Sequence, residues 1–302
     1  MRARDMRHYL LLTVALVMLA GDAPISPADP TGSAPSGNIV VRSGTIYGAT
    51  EYGGPNCPLQ SSYDVGGCGT VYAVDTSGKN VMLHAFAGPD GSNPSSGVTV
   101  GGDGMLYGTT DAGGEHGHGV IYRIAPDGSG FEVLHSFVTG AEHGALTIAP
   151  DGTIYGVAPS DHGDGHGATV FALSKNGDYR TLRVFGPESH IAAPLAIDSA
   201  GQLYGILVRG GYCGGDVFSL SGNGAYGIVF SNSSPYTSAA CADATIPSSP
   251  LVEDEGVLYA TGPTSLFEVS SAGLQTILTI APPPHPVVRP PFSPLERTFI
   301  DG

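Results

Sequence analysis

Two glycine-rich stretches hold much of the histidine and acidic side chain that could do chemistry. The first, "LYGTTDAGGEHGHGVIYRI", runs from Leu106 to Ile124 and carries Asp111, Glu115, His116 and His118. The second, "SDHGDGHGA", carries Asp161, His162, Asp164 and His166, and His143 and His190 follow each stretch further along. Neutral imidazoles beside carboxylates are ligands for zinc or a similar divalent ion. The sharpest expectation is a weak divalent-metal site of His116, His118, His162 and His166, lost below about pH 6 as the imidazoles protonate. Packed sheets lie about 10 Å apart, so both loops would have to bend inward to bring nitrogens within about 2.1 Å of one ion. The competing reading is a pair of solvated polar turns, and glycine-flanked histidines on exposed loops favour it. Glu142 and Asp216 complete the set of loop carboxylates. No catalytic motif accompanies them. There is no nucleophile elbow in a strand–turn–helix setting, no phosphate loop, and no helical periodicity to carry a helix-borne zinc motif.

The elements that must position these residues form a repeat. A tyrosine after an apolar residue recurs in "TIYGAT" (Tyr47), "LYGTT" (Tyr107), "TIYGVA" (Tyr155), "LYGIL" (Tyr204) and "LYATG" (Tyr259), a period of about 50 residues. A second strand with an aromatic follows each: "TVYAV" (Tyr72), "VIYRI" (Tyr122), "TVFAL" (Phe171), "DVFSL" (Phe218) and "SLFEV" (Phe267). A further strand follows that one, in "VMLHAF", "FEVLHSF", "YRTLRVF", "YGIVF" and "LQTILTI", and a short one precedes each tyrosine. Four strands per unit, five times over, predict an all-β protein: a β-propeller of five four-stranded antiparallel blades over residues 38–280. One such sheet cannot bury both faces alone, and stacking on its neighbours does so. The repeated Tyr and Phe are expected to fill the space between blades. Turns between the first and second strands ("GGDG", "APDG", "DSAG") and between the third and fourth ("DTSG", "SKNG", "SGNG") are short and rich in glycine. They should share one face of the ring, and the longer loops the other, where function is expected.

The pattern from Leu106 to Phe137 resembles the GloVer-type tandem repeat of exported bacterial proteins, roughly L-Y-G-T-T, then G-G, then G-T-V-F-x-L. The first repeat keeps "YGAT", Gly53-Gly54 and "CGTVYAV"; the fourth keeps Gly210-Gly211; the fifth keeps "LYATG" without the loop. The resemblance implies a propeller-like exported protein and brings no catalytic motif with it.

The ends of the chain agree with export. Arg2, Arg4 and Arg7 precede the apolar run "YLLLTVALVMLA", which is too short for a membrane span and suits a signal peptide ending near Ala23 or Ala28. Residues 1–28 are assigned to it, no membrane span is expected after cleavage, and residues 281–302 read as a Pro-rich tail. The whole chain has a formal charge of −15 at pH 7, which makes nucleic acid an unsuitable partner. The expected protein is secreted, to the periplasm or beyond, monomeric, and without a required cofactor. Four cysteines in such a chain suggest disulfides. Loop placement favours Cys57–Cys68 and Cys213–Cys241, worth roughly 2–4 kcal/mol each.

Two functions follow from different classes. The first is a non-catalytic propeller that binds a ligand, a glycan or a protein through its loop-rich face, with Tyr52, Tyr63, Tyr212 and Tyr236 as exposed rings for sugar stacking. The second is a secreted polysaccharide hydrolase or lyase with carboxylates or a metal at the channel mouth. Convergence of acidic or histidine side chains from several blades would discriminate them.

Overall fold

The computed structural model describes residues 32–55, 67–139, 144–159, 167–186, 189–191, 194–209, 212–213, 215–231, 234–235, 251–254, 257–261, 265–270 and 273–279. The assigned signal segment and the Pro-rich tail lie outside these residues.

Among the described residues there is no helix, and all paired strands run antiparallel. Sheet one is β1 (Ser33–Arg42), β2 (Thr45–Tyr52), β3 (Thr70–Val74) and β4 (Asn80–Ala85). Sheet two is β5 (Thr99–Val100), β6 (Leu106–Thr109), β7 (Val120–Ile124) and β8 (Glu132–Ser136). Sheet three is β9 (Thr147–Ile148), β10 (Ile154–Pro159), β11 (Ala168–Leu173) and β12 (Tyr179–Val184). In sheet four the first position is split. Both β13 (Ser189–Ile191) and β14 (Ala196–Ile197) pair with β15 (Leu203–Arg209). A short β16 (Tyr212–Cys213) precedes β17 (Gly215–Leu220) and β18 (Tyr226–Ser231), and β16 pairs instead with β19 (Ser234–Pro235). Sheet five is β20 (Val252–Asp254), β21 (Val257–Thr261), β22 (Ser265–Ser270) and β23 (Gly273–Thr279). The five units read from the sequence are therefore present as five meanders in chain order, four of them four-stranded and the fourth five-stranded through its split first position.

Most of the described turns are one residue longer than two-residue Asp-Gly hairpins. Gly78, Gly104, Gly128, Gly152, Gly177, Gly201 and Gly224 each donate to the carbonyl three residues back, at φ between 81° and 90°. The residue at that carbonyl also donates to the one just past the glycine, as Asp75 N does to Lys79 O. This is the three-residue hairpin, a type I turn closed by a left-handed glycine. Between β1 and β2 two central residues suffice, with Ser43 and Gly44 both at positive φ.

Four apolar clusters hold the array, one between each pair of consecutive sheets. Each of the first three joints sets the tyrosine face of one sheet on the glycine–aromatic face of the next. Tyr47 of sheet one packs with Tyr122 of sheet two, Tyr107 with Phe171, and Tyr155 with Phe218. The Tyr-Gly dipeptide then has a steric reason. Gly48, Gly108, Gly156 and Gly205 stand directly opposite Tyr72, Tyr122, Phe171 and Phe218 on the third strand. A Cβ at any of them would come within 2.4 to 2.5 Å of that aromatic side chain. The register shifts just before the same aromatic in all five sheets, a bulge that bends the fourth, outermost strand.

A second link crosses each of the first three joints from the motif Leu-(His/Arg)-x-Phe. His84 stacks on Phe131 at 3.7 Å, His135 on Tyr179 at 4.2 Å, and the Arg183 guanidinium lies 3.7 Å from the Tyr226 ring. The accompanying Phe86, Phe137 and Phe185 meet the next sheet's Tyr122, Phe171 and Phe218. These aromatic contacts add about 0.5–1.5 kcal/mol each beyond burial.

The first and last sheets differ from the others. On the Gly48–Tyr72 face of sheet one, Val41 is 66% exposed and Tyr72 only half buried, whereas Tyr122 at the same place in sheet two is fully buried. On the Tyr259 face of sheet five, Val252 is 52% exposed.

Candidate functional site

All the longer loops leave the ends of the second and fourth strands opposite the glycine turns, as the meander requires. The loop from Thr110 to Gly119 is tied down by backbone hydrogen bonds in its first half. Ala112 exchanges backbone hydrogen bonds with Ser92, and Gly114 N donates to Gly88 O at 2.9 Å. Gly113 and Gly114 both sit near φ +78°, and a Cβ on Gly113 would come within 2.3 Å of Gly88 O. Gly53 meets Gly32 in the same way, at 2.4 Å. The Gly-Gly of the repeat is thus where the segment entering from the preceding unit lies against the loop.

The second half of that loop turns toward its own fourth strand. Glu115 N donates to Ser136 Oγ, and His116 lies close enough to His135 to depress its pKa, after burial, which is the larger cause. His116 and His118 are exposed. Their proposed co-ligands His162 and His166 lie outside the described residues, as do Asp161, Asp164, Glu142 and His143. Among the described residues no group of three or more His, Cys, Asp or Glu side chains is placed to hold a metal ion. His190 is exposed in β13.

Two expectations need correction. Tyr52 is not an exposed loop ring: it is the last residue of β2, half buried and paired with Ser33. Asp216 is not a loop carboxylate: it lies in β17, 3% exposed, and accepts a hydrogen bond from Ser231 Oγ. Tyr212 is in β16, while Tyr63 and Tyr236 lie outside the described residues. Cys68 is buried and disulfide-bonded. Cys57 and Cys241 lie outside the described residues. Cys213 lies in β16, which pairs with β19.

The loop side carries a depression of about 510 Å³ whose walls come from three consecutive sheets. Gly37 and Asn38 of β1 line it, with Ser95 and Ser96 ahead of β5, and Gly144 and Ala145 ahead of β9. Glu51 at the end of β2 and Asp111 just past β6 also reach it. These two acids occupy the same place in their repeats, four residues after Tyr47 and Tyr107. Asp111 stood out in the sequence; Glu51 did not, although the shared Tyr-Gly-x-x-acid spacing was a usable signal.

The rim is held by hydrogen bonds. Asn93 ties the two acid-bearing strand ends together: its Nδ2 donates to Glu51 O at 3.3 Å and its carbonyl accepts from Asp111 N at 3.0 Å. Asn38 N donates to Ser96 O, Val98 N to Asn38 O, and Ser36 Oγ to Pro94 O. Ser96 and Thr109 share a hydroxyl contact of 2.6 Å. Two carboxylates, an amide and serine hydroxyls on a braced backbone can accept from and donate to the hydroxyl groups of a ligand.

An array of antiparallel sheets, the first four repeating Tyr-Gly against an aromatic and the fifth Tyr-Ala, defines an all-β tandem-repeat protein. Residues 59–273 match the Gloeobacter/Verrucomicrobia repeat, and the chain belongs to that family. No curated protein matches it in sequence. Among solved structures it is similar to one assigned as a gluconolactonase, at 12% identity over 83% of this chain and 79% of that one, with a TM-score of 0.49. A gluconolactonase from Xanthomonas campestris matches at 16% identity over 70% and 69%, with a TM-score of 0.45. TolB from Acinetobacter baumannii matches at 14% over 82% of this chain and 55% of its own, with a TM-score of 0.46. All three scores fall below 0.5, so nothing about the chemistry of this chain follows from them.

Proposed function

We propose that this is an exported β-propeller that binds a polyhydroxylated ligand, a glycan, through the depression on its loop side, without catalysis. The observation that carries the reading is the meeting of Glu51, Asp111, Asn38 and Ser96 on one depression, from separate repeats and on a rim already braced by Asn93. Carboxylates accept from sugar hydroxyls, and a braced rim reduces the ordering cost of binding. Tyr63, Tyr212 and Tyr236 are proposed as stacking rings around it. The disulfide at Cys68 supports an oxidising compartment and so agrees with the N-terminal export segment. In this reading the Tyr259 face of sheet five meets the Gly48–Tyr72 face of sheet one and closes the ring, because those faces carry the two halves of the joint repeated elsewhere.

A glycan array on the mature protein, followed by calorimetry on any ligand found, tests the proposal. Glu51→Gln and Asp111→Asn should each weaken binding at least about tenfold, the loss of one charged hydrogen bond. Retention of full affinity in both variants would refute it. One specific observation favours a second reading, a hydrolase or lyase: two carboxylates face the same space. Release of reducing ends or unsaturated products from a polysaccharide panel, abolished in the same variants, would establish that reading instead.

A further inference from the structure

The opposite, glycine-turn side has a cleft of its own between sheets two and three. It measures about 650 Å³, within the range of small-molecule sites. Its floor is apolar: Val133, Leu134, Ile148 and Ile154 line it. The corresponding place between sheets one and two is bridged, because Arg42 reaches over and donates to Gly104 O at 2.9 Å. Arg42 stands one residue before its turn, and the register puts Gly101 at that position in sheet two. No side chain from there can cross to sheet three.

Both walls carry charge: Asp103 and Glu132 beside Arg123 on the sheet-two side, and Lys175 on the sheet-three side, with Asp151 of the neighbouring turn close enough to feel the Lys175 charge. On the sheet-two wall Asp103 accepts from Tyr107 Oη at 2.8 Å and from Met105 N, and Glu132 holds Arg123 at 2.6 Å. Both carboxylates are exposed and keep lone pairs for a further donor. On the sheet-three wall stands Lys175, one of only two lysines beyond residue 28, with no hydrogen bond or ion pair among the described residues. Its stem lies across Gly152, where a Cβ would come within 1.9 Å of Cε. The ammonium is therefore carried to the cleft by a turn that has no side chain at that point.

The geometry points to a second binding site in this cleft, for a short zwitterionic peptide with aliphatic side chains. Its carboxylate meets Lys175, its amino group meets Asp103 and Glu132, and its side chains rest on Leu134 and Ile148. The mixed charge of the cleft selects this class: a simple anion would face Asp103 and Glu132, a simple cation would face Lys175 and Arg123, and a zwitterion meets both signs.

Calorimetric titration of the mature protein with Leu-Leu, its N-acetyl derivative and its C-terminal amide tests the site. Leu-Leu should bind saturably, and each derivative at least tenfold more weakly. Lys175→Gln, on an exposed turn outside the core, should weaken Leu-Leu tenfold and leave the affinity of the amide unchanged. The absence of saturable binding, or equal weakening of dipeptide and amide by Lys175→Gln, overturns the assignment. Glu51→Gln and Asp111→Asn leave this binding intact, so its outcome is separate from that of the glycan test.

Discussion

Tyr122 on β7 stands directly opposite Gly108 on β6, so close that a methyl group on that glycine would lie 2.4 Å from the phenol oxygen. The same substitution would also approach Gly97 O at 2.8 Å, which is backbone and cannot swing aside. Gly108→Ala is therefore expected to destabilise the protein by about 1–3 kcal/mol, the usual cost of overpacking. Thermal unfolding followed by circular dichroism measures it. The fifth repeat has Ala260 in this position opposite Phe267, so Ala260→Gly should not produce a comparable overpacking penalty.

The Tyr122 hydroxyl is fully buried with no hydrogen-bond partner among the described residues, and burial pushes its pKa well up from the ordinary phenol value. Repeats three, four and five use Phe171, Phe218 and Phe267 in its place. Tyr122→Phe should stabilise the protein by about 1 kcal/mol, by removing a desolvated hydroxyl without leaving a partner behind. Urea unfolding with an unchanged slope and a raised midpoint is the expected result.

His135, stacked on Tyr179 at 4.2 Å, has its pKa lowered from 6.5 by burial first and by His116 second. A depressed histidine leaves the unfolded chain binding more protons once pH drops below 6.5. Stability is then full above that value and falls as pH goes from 6.5 down to the folded pKa. His135→Phe keeps a ring against Tyr179 and cannot titrate. Melting temperatures between pH 7.5 and 5.5 should fall less in this variant than in the native protein.

Val41 of sheet one and Val252 of sheet five are exposed on the faces assigned to ring closure. In the closed ring, cysteines at both positions in a background lacking the native thiols should cross-link within one chain. Non-reducing electrophoresis with a short bis-maleimide reads it as a faster monomer band. A dimer band in its place would mean that the faces meet between copies.

Cys68 is bonded, and Cys57 is the partner that the loop length favours. Mass spectrometry of a non-reduced digest should show the Cys57–Cys68 and Cys213–Cys241 peptides. A Cys68–Cys213 peptide would contradict the loop placement.

Much of the architecture was local and so could be read from order alone. The recurring tyrosine, the aromatic after it and the glycine turns lie within one unit, and a strand, a turn and a strand are decided by neighbours in sequence. Gly78 and Gly104 sit at positive φ as their turn sequences require. Pairing across strands was not local. Nothing in "LYGTT" says that its glycine makes room for a ring on the next strand, because that depends on register. Nor does "DAGGEHG" say that its Gly-Gly pair is pressed against Gly88, since the contact comes from the preceding unit. His84 and His135 looked like ordinary strand residues until sheet stacking placed Phe131 and Tyr179 over them. Glu51 and Asp111 come together through the packing of whole sheets, and Asp216 left the candidate set because packing buries it within β17 beside Ser231. The repeat and its turns were determined by the sequence itself. Which side chains meet between repeats was decided only by the tertiary structure, because burial between sheets acts on residues that the chain keeps far apart.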